Sequence, residues 1–318
     1  MRKNITSIFL IFLLVNVYAV NVFCQETQKK PIRTIVIDPG HGGDFPGAKG
    51  TFSYEKNVSL AVSLKLGEAI NKEFPDIKVL YTRTTDENSG NTRSLVEDLH
   101  FRADFANSSG GDLFISIHCN SAGKAAGGWY QKRLIKKIPK YRNVKQGNKT
   151  IKKKYYEYVY ETDWIENKVK GTETYIWASS KTDAKVSSAA KNNEYYGEID
   201  STADITLPDP DDPVEKARML IYAQNYFRKS LTLADLVEKE FVATGRISRG
   251  VKQRNDKGIW VLQATGMPSV LIEIGFISNK EEEEYINNEK GQNEIVSNII
   301  SALRTYKQWL ESKTLPAE

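Results

Sequence analysis

One carboxylate lies in the middle of an otherwise apolar segment of this 318-residue chain. Glu273 stands between Val270-Leu271-Ile272 and Ile274-Gly275-Phe276, a composition typical of a buried strand. An isolated ionised carboxylate in a dry interior costs several kcal/mol, so it must be paired, protonated or bound to something. We therefore expect Glu273 to have either a chemical role or a buried cationic partner, such as Arg83 or Arg102.

Two histidines and a second acid stand at positions where they could join Glu273. His41 lies in a glycine-rich run after a β-branched segment, His118 ends a second apolar segment, and Glu55 begins a helical pattern. Each has an ordinary explanation when taken singly. These explanations are a turn histidine facing water, a core histidine bonded to backbone, and an acid favoured by the helix dipole.

Together, the four side chains suit a hydrolytic zinc site. Catalytic zinc commonly takes three protein ligands and leaves a fourth position for water, whose pKa it lowers to roughly 7. His41, Glu55 and His118 suit the ligand role. Glu273 suits the role of the carboxylate that takes a proton from the water and passes it to a leaving nitrogen, because apolar surroundings raise its proton affinity. The third histidine, His100, is expected on a helix surface.

Apolar periodicity predicts the elements that position these residues. Strands are indicated at 33–37, 77–82, 112–118, 171–177, 259–262 and 269–276. Helices are indicated at 55–74, 95–107, 214–244 and 280–310, with Ser53 as a candidate cap of the first. The alternation predicts an α/β fold with a single central twisted sheet, mostly parallel, and helices on both faces. In such sheets the functional crevice lies beyond the carboxyl ends of the strands.

Two charged segments interrupt this pattern and are interpreted as insertions, at about 130–170 and 190–215. Between Gln131 and Lys170 there are 13 Lys and Arg against 4 Asp and Glu, together with several tyrosines and a candidate sheet-edge hairpin at Tyr155 to Tyr160. Between Lys191 and Glu215 there are 8 acidic residues against 1 basic residue. The overall net charge of +5 is modest, so nucleic acid is not an expected partner.

The N-terminus has the layout of a secretory signal peptide. A basic start precedes an apolar run from Ile5 to Val22, and the chain turns polar after Cys24. We expect a signal peptide over residues 1–24 and export to the periplasm or cell envelope, with a retained anchor and lipidation at Cys24 as the alternatives. Without the leader the sole cysteine is Cys119, which excludes an internal disulfide and is interpreted as a core residue.

Four short motifs occur in the order of a known family. They are Ile37-Asp38-Pro39-Gly40-His41-Gly42-Gly43, Glu55-Lys56-Asn57, Ser116-Ile117-His118-Cys119-Asn120 and Leu271-Ile272-Glu273-Ile274-Gly275-Phe276-Ile277-Ser278-Asn279. The chain resembles the zinc-dependent N-acetylmuramoyl-L-alanine amidases of the amidase-3 type over residues 33 to about 310, less the two insertions. Arg83 with Asp86, and Arg102 with Asn107, also resemble family positions of a structural kind.

The resemblance implies one zinc ion per chain, bound by His41, Glu55 and His118, with Glu273 as the catalytic carboxylate. It also implies hydrolysis of the amide between N-acetylmuramic acid and L-alanine in peptidoglycan. We expect a monomer with one catalytic domain over 33–311 and a tail over 312–318. Two alternatives stay open. One is a related zinc peptidase that cuts a stem-peptide bond, and the other is an inactive peptidoglycan-binding scaffold.

The resemblance also suggests hypotheses for the function of the two insertions. Some division-associated amidases of this family carry a regulatory helix near the position of the acidic insertion, with a glutamate that blocks the zinc. An activator protein acting on an autoinhibitory insertion is therefore one hypothesis, and a solvated loop without a role is the other. The candidate blocking acids are Glu194, Glu198, Asp200 and Glu215. The basic insertion could hold anionic glycan, stem-peptide carboxylates or lipid headgroups, contact the acidic insertion, or be a solvated loop.

Overall fold

The structure, a computed structural model, describes residues 32–189 and 213–314. The predicted signal peptide, most of the acidic insertion and the last four residues lie outside these ranges, as do the candidate blocking acids Glu194, Glu198 and Asp200. Within the described ranges, none of the helices combines the length and the apolar character that crossing a bilayer requires.

The described residues form eight strands and seven α-helices. In chain order these are β1 (Thr34–Pro39), α1 (Glu55–Glu73), β2 (Lys78–Tyr81), α2 (Leu95–Ser108), β3 (Leu113–Asn120), β4 (Gly128–Gln146), β5 (Lys149–Glu166), β6 (Thr172–Ile176), α3 (Thr182–Ala189), α4 (Pro213–Ala243), β7 (Ser248–Gln253), α5 (Trp260–Gln263), β8 (Ser269–Phe276), α6 (Lys280–Asn287) and α7 (Glu289–Thr314).

Six strands form the central sheet, in the order β2-β1-β3-β8-β6-β7. The first four run parallel to one another, whereas β6 runs antiparallel to β8 and β7 follows β6. The predicted α/β architecture with a mostly parallel sheet is therefore confirmed. The reversal at β6 brings the amino end of β6 to the same edge as the carboxyl ends of β1, β3 and β8.

The two faces of the sheet are covered unequally. Residues of α1, α4 and α7 pack over one face in the larger apolar cluster, while α2 and α5 contribute to a smaller cluster on the other. Successive side chains of a strand point to opposite faces. In β3, Ile117 and Cys119 therefore enter the larger core, and His118 points to the thinly covered face. The prediction that Cys119 is a core residue is confirmed, since it is 2% exposed.

Several local predictions are wrong. Residues 260–263 form the short helix α5 rather than a strand, because a brief apolar run fits either element and periodicity cannot separate them. The C-terminal helix is two helices, because Asn288 has an extended backbone and its side chain accepts a hydrogen bond from Gly291 N at the start of α7. Strand β7 was not predicted, since Ser248–Gln253 holds a single large apolar residue.

The basic insertion forms a long two-stranded ribbon rather than a hairpin at the edge of the main sheet. Strands β4 and β5 pair only with each other, antiparallel, through the two-residue turn Gly147-Asn148. Gly147 has φ +62, a conformation that glycine adopts without strain. We call this ribbon, residues 128–166, the arm.

A buried carboxylate fixes the segment that leads into α1. Ser53 does not cap that helix; its hydroxyl donates to Glu283 of α6 instead. The backbone N–H groups of Thr51, Phe52 and Ser53 donate to the same carboxylate at 2.8–2.9 Å. Glu283 is fully buried. These bonds join α6 to the turn that begins α1 and so determine where Glu55, the first residue of α1, stands.

We expect Glu283→Gln to lower the free energy of unfolding by about 2 kcal/mol at pH 7, because charge-assisted hydrogen bonds are lost. Burial raises the pKa of Glu283, but the hydrogen bonds from residues 51–53 outweigh it and hold the pKa below 4.5. The stabilisation is therefore present above the unfolded pKa and is lost as the pH falls through the folded pKa.

Urea unfolding of wild type and variant at pH 7 and at about pH 3 measures this difference, which should shrink on acidification. The exposed Glu284→Gln is the matched control, and it should change the free energy of unfolding little at either pH. A Glu283→Gln effect of equal size at both pH values would contradict the assignment.

Candidate metal and catalytic site

The four predicted residues meet at one edge of the sheet. His41 follows the carboxyl end of β1, His118 lies near the end of β3, and Glu55 begins α1. Glu273 of β8 stands directly opposite His118 in the parallel register. All four line a cleft of about 320 Å³ on the thinly covered face. Elements far apart in sequence thus bring these side chains together, as the parallel sheet predicts.

The loop after β1 has a tightly constrained backbone. His41 has φ +60, in the left-handed region that few residues other than glycine adopt. A Cβ atom on Gly40 would lie 2.5 Å from the ring of His118, so only glycine fits there. The loop therefore places the His41 ring against the His118 ring, and their centroids are 4.9 Å apart.

Glu55 lies between the two histidines. Its Oε1 is 2.8 Å from His118 Nδ1, and its Oε2 is 3.2 Å from His41 Nε2. The backbone N–H groups of Cys119 and Ala48 also donate to this carboxylate, at 3.0 and 2.7 Å. The ligand atoms of His41, Glu55 and His118 all lie within 4.8 Å of one another. Two imidazole nitrogens and a carboxylate at this spacing are a donor set that zinc accepts.

Burial and pairing set the protonation of these groups. Burial by itself raises the pKa of Glu55, but the hydrogen bonds from His118 and His41 outweigh it and the pKa is lowered. Burial lowers the pKa of His118, against the opposing effect of Glu55. A neutral imidazole beside an ionised carboxylate is the form in which both groups bind a metal.

Glu273 has no such compensation. It is 8% exposed, and its Oε2 has no hydrogen-bond partner among the described residues. Burial, followed by the negative charges of Glu55 and Glu173, raises its pKa well above the usual value, and the positive charge of Arg254 offsets this only in part. Arg83 and Arg102, the expected cationic partners, bind elsewhere. A buried carboxyl without a partner, facing a cleft, is typical of a functional site.

Two arginines support the His41 loop from beneath. Arg102, 2% exposed, donates to Asp38, to Asp98 and to the carbonyl oxygen of His41 at 2.6 Å. Arg83 donates to the carbonyl oxygen of Gly40 at 2.8 Å. Gly40 O also accepts from the Ser59 hydroxyl at 2.7 Å. The carbonyl groups of the loop are thus satisfied, which fixes its conformation.

Asn107 and Asp86, which with these arginines resemble family positions of a structural kind, also make contacts within the fold. Asn107 bonds to the backbone of Ala264 and Gly266. Asp86 pairs with Lys56 at 2.8 Å. Sequence reasoning missed Asp38, although an acid inside the buried segment of β1 is the same signal that singled out Glu273.

Glu173 of β6 is a second residue that sequence reasoning missed. It stands opposite Glu273 in the antiparallel register and is 3% exposed. Arg249 and Lys252 of β7 donate to its Oε1, each at 2.6 Å. Burial raises the pKa of Glu173, yet these partners outweigh it and keep the pKa low. The ionised Glu173 therefore helps to hold the proton of Glu273.

His100 lies apart from this group. It is exposed on α2 and its ring is 4.5 Å from that of Trp260, which also lines the cleft. The prediction of a surface histidine on a helix is confirmed.

Comparison with known proteins gives one family. Residues 35–305 match the family model described as N-acetylmuramoyl-L-alanine amidase (Amidase_3). The sporulation-specific N-acetylmuramoyl-L-alanine amidase of Bacillus subtilis is 39% identical over 89 residues, which are 28% of this chain and 32% of that protein. The AmiA amidase of Escherichia coli K12 is 24% identical over 283 residues, 88% of this chain and 78% of that protein.

The AmiC amidase of Escherichia coli O6:H1 is 25% identical over 286 residues, 88% of this chain. The chain spans 32% of the length of the Bacillus relative and 54% of that of AmiC.

Solved structures agree in fold. An N-acetylmuramoyl-L-alanine amidase from Clostridium difficile 630 is 24% identical with a TM-score of 0.51, covering 87% of this chain and 97% of that one. The CwlD amidase from Clostridioides difficile, solved in complex with the GerS lipoprotein, is 22% identical with a TM-score of 0.53, covering 87% and 99%. At this level of sequence identity, the structural similarity supports the fold alone. Because the family model extends over most of the sequence, the chain belongs to the N-acetylmuramoyl-L-alanine amidase (Amidase_3) family.

Proposed function

We propose that this protein is a zinc-dependent hydrolase that cleaves the amide between N-acetylmuramic acid and L-alanine in peptidoglycan. The convergence of His41, Glu55 and His118 beside an unpartnered Glu273, in one open cleft, is the observation that carries the proposal. Membership of the amidase family supports the choice of substrate.

His41, Glu55 and His118 would hold the metal. When bound, zinc supplies a Lewis acid that polarises a carbonyl group and lowers the pKa of water to roughly 7. The N–H groups of Cys119 and Ala48 orient the Glu55 carboxylate. Arg102, through the carbonyl of His41, holds the loop in place and reduces the movement that metal binding requires.

Glu273 would move the proton. A carboxyl group whose pKa is raised toward neutrality accepts a proton from the attacking water and returns it to the alanine nitrogen as the carbon–nitrogen bond breaks. The charge of Glu173, held by Arg249 and Lys252, maintains the high proton affinity of Glu273.

The alternatives differ in what they explain. An inactive peptidoglycan-binding scaffold gives no reason to retain a buried carboxyl without a partner, which is unfavourable for folding. A zinc peptidase acting on the stem peptide would use the same four residues. Only the identity of the products separates the peptidase from the amidase.

We also propose the domain organisation and location that the sequence suggests. These are a signal peptide over residues 1–24, one catalytic domain over 33–311 with a tail over 312–318, a monomeric state, and export to the periplasm or cell envelope. An activator protein acting on the acidic insertion remains a separate proposal. It concerns residues mostly outside the described ranges. Under that proposal, deletion of Asn192–Asp212 raises basal activity, and unchanged activity removes it.

We expect Glu273→Ala to lower turnover by at least about 100-fold, because the proton carrier is lost. Zinc content should stay at one ion per chain. Purified sacculi are digested with wild type and variant, fragments are identified by mass spectrometry, and zinc is measured by elemental analysis. Normal release of intact stem peptides by the variant would contradict the role of Glu273, and fragments cut within the stem would favour the peptidase.

We expect His118→Ala to lose most of its zinc, because two ligands bind the ion far more weakly than three. The control is His100→Ala, which removes a histidine that lies outside the ligand group. Elemental analysis after dialysis should show zinc in wild type and His100→Ala only. Full occupancy in His118→Ala would contradict the ligand assignment.

A further inference from the structure

The two faces of the arm differ in composition. Residues paired directly across an antiparallel ribbon lie on the same face. The register pairs Tyr130 with Trp164, Lys137 with Tyr158 and Tyr141 with Lys154, which places them all on one face. We call this the aromatic face. Its six aromatic residues are Tyr130, Tyr141, Tyr156, Tyr158, Tyr160 and Trp164.

Charge is separated in the same way. The lysines of the aromatic face are Lys132, Lys137, Lys145, Lys152 and Lys154. Outward from the Tyr130–Trp164 pair this face carries no acidic residue. Glu157, Glu161 and Asp163 all lie on the opposite face, where they pair with Lys140 and Arg133. Glu166 follows Trp164 on the same face, at the root of the arm, where it is 3.8 Å from Lys168.

The rings of the aromatic face are exposed and do not pack into the core of the protein. A lone two-stranded ribbon buries neither face, and a patch of exposed apolar groups on a protein surface marks an interaction site. Tyr130 is 72% exposed and Trp164 is 54% exposed. Lysines lie over two of the rings, with Lys154 Nζ 5.1 Å from the centroid of the Tyr156 ring and Lys137 Nζ 5.7 Å from that of Tyr158. Rings and ammonium groups therefore alternate along an open surface.

The root of the arm is attached beside the cleft. Asn120 at the end of β3 lines the cleft, and β4 begins shortly after it. Asn167, just past the arm, donates to Gly127 O at 3.1 Å and accepts from Asn279, which follows β8. At about 3.3 Å per residue, strands of this length extend about 60 Å from that point. The arm therefore begins at the same edge of the sheet as the four site residues.

We propose that the aromatic face of the arm binds the peptidoglycan strand, a flexible polymer of sugar rings with carboxylate-bearing substituents. This inference rests on the proposed function. Aromatic rings stack on the apolar C–H faces of sugar rings, and lysine ammonium groups pair with carboxylates. The ribbon twists, so its aromatic face winds along its length. A flexible polymer can follow a winding stripe, whereas a rigid surface meets only part of it.

Other occupants fit less well. A second copy of the arm would bring like charges together, because lysines occur along both strands. Described residues on either side of the acidic segment lie near the other edge of the sheet. Lys185 of α3, before that segment, and Ser230 of α4, after it, both bond to Ser269 at the amino end of β8.

The test measures binding to purified sacculi by cosedimentation, in a Glu273→Ala chain so that the sacculi stay intact. The triple change Tyr156→Ser, Tyr158→Ser and Tyr160→Ser should weaken apparent binding at least about tenfold, because three stacking rings are lost.

The matched control alters the same strand on its opposite face. Ile151→Ser, Tyr155→Ser and Val159→Ser remove three exposed side chains of β5 that point away from the aromatic face. This control should bind sacculi like the unchanged arm. Equal losses in the two triple variants, or no loss in either, would overturn the proposal.

A second pair of triple variants changes charge and keeps every aromatic ring. Loss of ring packing within the arm therefore cannot explain a change in their binding to sacculi. Lys132→Gln, Lys137→Gln and Lys154→Gln on the aromatic face should weaken binding severalfold and reduce its salt dependence. Lys136→Gln, Lys149→Gln and Lys153→Gln on the opposite face remove the same charge and should have a much smaller effect. Equal losses in both would mean that net charge alone is responsible, which contradicts the proposal.

Two further measurements distinguish failure of this proposal from failure of the proposed function. Hydrolysis of a small soluble muramoyl peptide, measured with Glu273 intact, should be unchanged in all four arm variants. If wild type fails to cut that substrate while the aromatic face still binds sacculi selectively, the proposed function fails alone. Tighter binding of the aromatic face to phosphatidylglycerol vesicles or to single-stranded DNA than to sacculi would overturn the inference.

Discussion

Two buried carboxylates share one small cleft, and this constraint organises the site. Glu55 is compensated by two imidazoles and two backbone N–H groups, whereas Glu273 has no hydrogen-bond partner for its Oε2 among the described residues. Each negative charge raises the cost of ionising the other. A divalent cation between His41, Glu55 and His118 would relieve that repulsion, so the electrostatics and the donor set favour the same occupant.

The surrounding polar groups hold the backbone around these two carboxylates in place. Arg102 and Arg83 donate to carbonyl oxygens of the loop that carries His41, and Glu283 fixes the turn that presents Glu55. These contacts join β1, α1, α2 and α6, which are distant in sequence. Preorganisation of this kind is what a metal-binding site needs, because ligands that are already in position lose little freedom on binding.

The sequence predicts the four site residues better than it predicts the contacts and elements that hold them in place. An acid within an apolar strand is a local signal, and Glu273 and the residues around it follow from it. The bonds from Thr51, Phe52 and Ser53 to Glu283 join positions about 230 residues apart, so no local pattern could indicate them. Strand β7 escaped prediction because it is an edge strand with few apolar residues, stabilised by its pairing with β6. The brief run at α5 fits two elements, and tertiary packing selects the helix.

The closed root of the arm has a consequence for how such a protein can diversify. Gly127 and Asn167 are joined by a backbone hydrogen bond, and Asn167 also donates through its side chain to Ala125 O. The chain thus departs and returns at one point, without passing through the core. An arm of another length, or a short turn, could replace it while the sheet keeps its register. The length of the arm and the residues on its surface can therefore change in evolution without altering the four site residues beside it.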